Sequence, residues 1–259
     1  MVENSLSPAA ITNNLDTRFI GQRVIYYPRL TSTMDVAKRE AQQGAIEGTV
    51  VIAGEQTAGR GRIKRPWLSP KGSIALSIIL YPSLAYLPSL IMVASLAVVR
   101  CIDKVTGLKS QIKWPNDVLV NDKKVCGILI ESDVRGNTVD YAIIGIGINA
   151  NLRLSDFPEI PPTATSLSHE LGRKVSRLDI IQCLLAETER LYLALPAGES
   201  VYQEWRDNLA TLGKRVRAKS GETTYEGVAE SVASDGSLLL RQSDGSLTKI
   251  VAGDVTLLK

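Results

Sequence analysis

Four cationic side chains and three glycines crowd into the fourteen residues Gly54-Glu55-Gln56-Thr57-Ala58-Gly59-Arg60-Gly61-Arg62-Ile63-Lys64-Arg65-Pro66-Trp67, and no acid follows Glu55 to neutralise them. Arginine forks match phosphate or carboxylate oxygens, and glycine lets a backbone approach a ligand closely. Residues of these types at this spacing suit an anion-binding flap, closed at its far end by the aromatic Trp67. A solvated basic loop is the plainer alternative, and the unbalanced charge and the tryptophan weigh against it. Apolar runs flank the stretch, Thr49 to Ala53 before it and Ile74 to Leu80 after it. Both read as strands, so the flap is a connection between two sheet elements, expected to be mobile while its like charges stay unpaired.

Other residues that could meet a ligand sit at element ends. Ser32 and Thr33 open a helix that runs to about Gly44, and Ser32-x-x-Asp35 has the capping-box pattern. The two hydroxyls either cap that helix or offer polar contacts to a small ligand at its N-terminus. Gly145 and Gly147 alternate in the strand Tyr141 to Asn149, so they share one face. That bare face suits either a close helix crossing or a ring or chain lying on backbone. Gln111 to Val120 and Val125 to Glu131 form a hairpin around the turn Asn121-Asp122-Lys123, with Lys124 just beyond it. Pro115 and Asn116 favour an irregularity in its first strand.

These sites need a scaffold, and the chain is long enough to build one. Its 259 residues are 44% hydrophobic and 22% charged, ordinary for a globular protein with one substantial core and a small second domain. A net charge of +3 is too modest for a general nucleic-acid binder, so cationic character matters locally. The single histidine, His169, argues against a His-based triad or a histidine metal cluster. Cys101, Cys126 and Cys183 lie in separate apolar runs without a C-x-x-C spacing and read as buried, reduced thiols of a cytoplasmic protein. No signal-peptide pattern is visible, and the apolar run Leu90 to Val99 is too short to span a bilayer.

In chain order, residues 1–22 are weakly patterned and expected to be weakly structured. Pro88 begins an almost wholly apolar helix to Thr106, stopped by Gly107. Residues 151–170 read as loop, Ser176 caps a helix to about Leu195, and a shorter helix covers Val201 to Leu209. Composition changes at Leu212-Gly213. Five short strand candidates then alternate with Ser220-Gly221, Asp235-Gly236, Asp244-Gly245 and Gly253, the pattern of a small barrel or meander. This gives a weakly structured segment 1–22, a ligand-binding domain 23–212 and a C-terminal domain 213–259.

Four blocks in order carry a resemblance: Gly59-Arg60-Gly61-Arg62-x-x-Arg65-x-Trp67, Lys113-Trp114-Pro115-Asn116-Asp117, Lys123 to Leu129, and Gly145-Ile146-Gly147-Ile148-Asn149. Together they resemble the biotin protein ligases, from about Val24 to the chain's end. The resemblance implies an α+β catalytic domain with a mixed sheet, similar to class II aminoacyl-tRNA synthetases, followed by an SH3-like β-barrel. It implies ATP-dependent, AMP-forming activation of biotin to biotinyl-5′-AMP, and transfer to a lysine of a biotin carboxyl carrier protein, as in acetyl-CoA carboxylase. ATP and Mg²⁺ are implied with it. Family members that repress transcription carry an N-terminal helix-turn-helix domain. Fewer than thirty residues precede the first strand here, which implies the ligase-only form, with neither DNA nor membrane as partner. The oligomeric state stays open between monomer and homodimer.

By resemblance, Arg60, Gly61 and Arg62 close over the acid and the α-phosphate, and Lys124 steadies charge between them. Ser32, Thr33 and Gln56 bond the ureido group. Gly59, Gly127, Leu129, Gly145 and Gly147 surround the biotin body. Arg65, Asn116, Asp117 and Asn149 serve adenine or Mg-ATP, with Asp117 as the metal candidate, and Trp67 walls the adenylate off from water. Two positions depart from the family. Met34 replaces an Asn of a Ser-Thr-Asn triplet, and Lys64 replaces a Gly, so a positive φ is not expected there. A lipoate ligase of the same fold and a non-enzymatic nucleic-acid-binding module are the alternatives.

Overall fold

The computed structural model describes residues 6–197 and 199–258. Helix α1 (Pro8–Thr12), strand β1 (Val24–Tyr27), helix α2 (Thr33–Gln42), and strands β2 (Val50–Ala53) and β3 (Ile74–Leu80) come first. Helix α3 (Leu90–Thr106) leads into β4 (Ser110–Lys113), β5 (Asp117–Val120), β6 (Lys123–Arg135) and β7 (Thr138–Ile148). Helices α4 (Leu167–Leu171), α5 (Arg177–Ala194) and α6 (Glu199–Asp207) follow. The chain closes with β8 (Arg215–Ser220), β9 (Thr223–Val232), β10 (Leu238–Arg241), β11 (Leu247–Ile250) and β12 (Asp254–Leu257).

β1 to β7 form one mixed sheet in the order β1-β2-β3-β7-β6-β5-β4, with β1 and β2 parallel and the other neighbours antiparallel. Every residue of β2 and β3 is buried, because both faces of the sheet are covered and an uninterrupted apolar run fits such a place. One face carries α3 and α5 over the main core. The other carries α2, whose Met34, Val36 and Ala37 pack with Val51, Ile79 and Ile143. With its preceding turn, α3 is long and apolar enough by composition to cross a membrane, residues 84–106. It is instead a core helix, with Leu90, Val93, Leu96, Ala97 and Cys101 wholly buried.

The weakly structured segment expected for residues 1–22 is corrected over residues 6–22. Ile11 and Ile20 are fully buried, and Gln182 donates to the carbonyls of Ala10, Ile11 and Asn13. Glu189 accepts the backbone N–H groups of Arg18, Phe19 and Ile20. These anchors are single residues whose partners lie some 170 positions away in sequence, so no local period announces them. Cys183 also departs from expectation: it is only half-buried, where Cys101 and Cys126 are buried.

β8 to β12 form an antiparallel sheet in the order β11-β10-β9-β8-β12. The chain enters it at Gly213, whose φ of +75° suits glycine. This sheet does not close a separate core. Trp114 donates its indole N–H to the Gly236 carbonyl at 2.8 Å, and Val216, Ala218, Leu238 and Leu240 join the same apolar cluster as α3, α6 and Trp205.

Candidate functional site

Sheet register explains why a hollow exists. Ala53, Ala75, Gly147, Gly127 and Asp117 lie side by side across β2, β3, β7, β6 and β5. In the next row on that face stand Val51, Ser77, Gly145 and Leu129. Directly opposed residues share a face, so a row of alanines and glycines leaves a trough that ends at a carboxylate. Above it lies a cavity of about 510 Å³, walled by the start of α2, the loop 56–68, residues 159–164 and Asp254. The face at Gly145 and Gly147 lines this cavity but is not bare. A Cβ on Gly145 would come within 2.5 Å of the Met34 sulfur, and one on Gly147 within 2.3 Å of the Trp67 indole nitrogen. The glycines therefore admit Met34 and Trp67 as well as the cavity.

At the inner end, Ser32 is the N-cap residue of α2, yet its hydroxyl makes no capping bond. It is 1% exposed, without a protein partner, and faces the cavity. Gln56 replaces it: Oε1 accepts from the Thr33 N–H at 2.7 Å and from the Thr33 hydroxyl at 3.1 Å. Ser77 donates to that hydroxyl at 2.8 Å. Sequence reading missed Ser77 because a lone serine in an apolar strand gives no local signal.

The cationic loop is not the unneutralised flap that its own composition describes. Arg60 pairs with Asp35 at 2.8 Å and Glu131 at 3.2 Å, which turns its side chain toward α2 and β6. Arg65 pairs with Asp254, and Arg62 donates to the Asn116 amide oxygen at 2.9 Å and the Gly253 carbonyl at 3.1 Å. Burial lowers the Arg62 pKa, against the opposing pull of Asp254 and Asp117. The backbone is held by bonds from Trp67 N–H to the Gly59 carbonyl at 2.8 Å and from Gly61 N–H to the Arg65 carbonyl at 2.7 Å. Closing so short a hairpin puts Ile63 at φ +53° and Lys64 at φ +56°. The expectation of no positive φ at Lys64 is thus corrected: the hairpin imposes it despite the side chain.

Lys124 lies inside the cavity rather than on an exposed turn. Its ammonium pairs with Asp117 at 2.6 Å and sits 5.3 Å from the centre of the Trp67 ring. Gly127 makes room for both, since a Cβ there would lie 3.0 Å from the Trp67 ring and 3.3 Å from the Lys124 Cε. Asn116 is fixed by its Nδ2 donating to the Ile128 carbonyl, which aims Oδ1 at Arg62. Asn149 is buried and spends its Nδ2 on the Thr165 carbonyl, so it anchors residues 163–167 along the cavity wall. Leu129 lines the cavity from β6, and Gly59 packs so closely on the Trp67 carbonyl that a Cβ would sit 2.4 Å away. Glu159, Ile160, Pro161 and Asp254 also line it, and sequence reading assigned none of them. No group of three metal-ligating side chains occurs among the described residues. The carboxylates suit a cation brought in by a polyphosphate better than a resident metal cage.

Residues 26–149 match the model of the biotin/lipoate A/B protein ligase family, and residues 211–258 match that of the biotin protein ligase C-terminal domain. The chain is 39% identical to the bifunctional ligase/repressor BirA of Bacillus subtilis over 258 residues, covering 97% of this chain and 79% of that protein. It is 30% identical to the biotin–[acetyl-CoA-carboxylase] ligase of Mycobacterium tuberculosis over 240 residues, covering 88% and 86%. Among solved structures, the biotin protein ligase of Aquifex aeolicus in complex with biotin and ATP superposes with a TM-score of 0.75. It is 27% identical and covers 92% of this chain and 99% of that one.

Proposed function

The chain belongs to the biotin protein ligases, and from that premise we propose how its residues divide the work. The enzyme activates biotin with ATP to biotinyl-5′-AMP and transfers biotin to a lysine of the carrier domain of acetyl-CoA carboxylase or a related carboxylase. The observation that carries the assignment of roles is the sheet trough of Gly147 and Gly127, opening onto Lys124 and Arg62. Ser32, Thr33 and Gln56 at the closed end bind the ureido group, and the cavity above the glycine row, beside Met34 and Trp67, takes the ring and chain. A biotin carboxylate oxygen then attacks the α-phosphorus, and the bond to pyrophosphate breaks. Both reactants are anions, so Lys124 and Arg62 act by neutralising and positioning charge rather than by shuttling protons. In the second step the deprotonated carrier lysine attacks the acyl carbon and AMP leaves.

Magnesium carried by ATP would supply further neutralisation, and Asp117, paired with Lys124 in the ligand-free site, is the carboxylate that would hold it. Asn116 orients Arg62, Arg65 and Asn149 face the nucleotide side, and Trp67 keeps water from the adenylate. Residues 23–212 make the catalytic unit and 213–259 the C-terminal unit. The reading includes cytoplasmic action without a DNA partner, supported by three free cysteines and a net charge of only +3. Incubation with biotin, Mg-ATP and a carrier domain should give an avidin-reactive carrier band. Titration calorimetry should show biotin binding and no lipoate binding; the reverse would make it a lipoate ligase. A shift of duplex DNA would sink the no-DNA reading, and sedimentation decides between monomer and homodimer.

A further inference from the structure

Asp254 is the first residue of β12, in the C-terminal sheet, yet its carboxylate stands in the cavity wall beside the loop's arginines. It pairs with Arg65 and lies 4.0 Å from Arg62. Its backbone is fixed. Gly253 packs so closely on β8 that a Cβ would come within 2.4 Å of the Lys219 carbonyl oxygen. The neighbouring Ala252 carbonyl accepts from Ser220 at 2.7 Å, and the Gly253 carbonyl accepts from Arg62 at 3.1 Å. The carboxylate, on a backbone pinned at 252–253, is thus held against Arg62, which the proposed function sets on the charge of the reacting groups, and Arg65, which it sets on the nucleotide side. Of the other acids in the wall, Asp117 is already taken by Lys124. Carboxylate and phosphate oxygens seek the same N–H donors, so the two compete.

We propose that Asp254 is a built-in counter-anion of the polyphosphate site. It balances the charge of Arg62 and Arg65 before nucleotide arrives, yields the Arg65 donor to the phosphates, and takes it back as pyrophosphate leaves. Arg62 keeps its orientation throughout, because Asn116 and the Gly253 carbonyl hold it independently of the Asp254 charge. The cost is weaker nucleotide binding and the gain is faster product release. The C-terminal unit thereby sets the charge balance of a site built mainly by the other sheet.

The inference rests on Arg62 and Arg65 facing ATP, and the experiment separates the two. Calorimetry measures pyrophosphate, a non-hydrolysable ATP analogue and biotin binding to wild type and to Asp254→Asn, which keeps the acceptor oxygen and loses the charge. Pyrophosphate and the analogue should bind the variant roughly three- to tenfold more tightly, a surface-facing charge effect. Biotin should bind it as it binds wild type. In steady state, KM for ATP should fall and pyrophosphate should inhibit at lower concentration. Glu226→Gln removes a carboxylate from an exposed pair with Arg217 on β8 and should leave pyrophosphate binding unchanged. If Asp254→Asn fails to fold, Asp254→Ser carries the same expectation. Equal or weaker pyrophosphate binding by the folded variant overturns the counter-anion. Wild type that binds biotin but neither pyrophosphate nor the analogue overturns the phosphate assignment itself.

Discussion

Ser32 and Lys124 show how a side chain's partners decide what it is for. Helix caps normally contribute about 1 kcal/mol through the side-chain oxygen, but Ser32 caps nothing and Gln56 does that work. Ser32→Ala should therefore change stability by less than about 0.5 kcal/mol. Biotin affinity should fall roughly tenfold, about the worth of one hydrogen bond. Calorimetry beside thermal melting reads both; an unchanged biotin Kd would return Ser32 to the scaffold. In the proposed division of work, Lys124 holds the charge that matters as carboxylate meets phosphate. Its loss should slow biotin-dependent pyrophosphate exchange by about a hundred- to a thousandfold, the range for preorganised electrostatic groups. Lys124→Gln also strands the Asp117 carboxylate, at a cost of about 1–3 kcal/mol. Adding Asp117→Asn should recover the melting temperature but not the rate. Exchange reduced less than about threefold would mark Lys124 as an ordinary lysine.

At the scale of elements, the hairpin 59–67 and the strand β7 beneath it are matched surfaces. Trp67 rests where a Gly147 side chain would be. Gly147→Ala should lift Trp67 from the trough and shorten the lifetime of biotinyl-5′-AMP by admitting water, while β7 stays paired on both edges. Adenylate half-life measured without carrier checks this, and an unchanged half-life would remove Trp67's shielding role. The loop's arginines are paired to acids on α2, β6 and β12 rather than left repelling one another. Exposed pairs weaken as the Debye length shrinks, from about 10 Å at 0.1 M salt to about 3 Å at 1 M. Amide exchange at 59–67 should accordingly quicken with salt in the ligand-free protein and not when biotin and ATP are bound. Salt-independent exchange would show that the backbone bonds alone hold the hairpin.

The whole molecule is tied together across its composition break. Trp114 and Trp205 lie between the two sheets, buried to 2% and 0% exposure, and the Trp114 indole N–H depends on the Gly236 carbonyl. Ending the chain at Leu212 would bare both rings and orphan that donor. Composition alone suggests a catalytic unit that folds by itself; the shared core argues otherwise. The truncated protein should melt well below the full chain or fail to fold, through lost burial of about 1.5–3 kcal/mol for each large apolar side chain. A truncated protein with full-chain melting temperature and full activity would show the second sheet to be an appendage.

The amino-acid sequence by itself determined most elements, the glycine rows and the cationic loop, because periodicity, glycine and proline act over a few residues; it did not show α1, α4, or the reversal at 114–116 that splits the expected strand 111–120 into antiparallel β4 and β5. The family resemblance its four blocks carry also implied that Lys124, Arg62 and Gln56 share one site. What it could not determine were the partners. Asp254 reaches Arg65 across 189 positions and Glu131 reaches Arg60 across 71. Neither acid belongs to a pattern that sets it apart from other surface carboxylates. Ser77 reads as a lapse in an apolar strand until the register brings it beside Thr33. The docking of residues 6–22 depends on Gln182 and Glu189 in the same way. Charge and hydrogen bonding are settled by distances through space, and only the closed sheets bring those residues within 3 Å or so of each other.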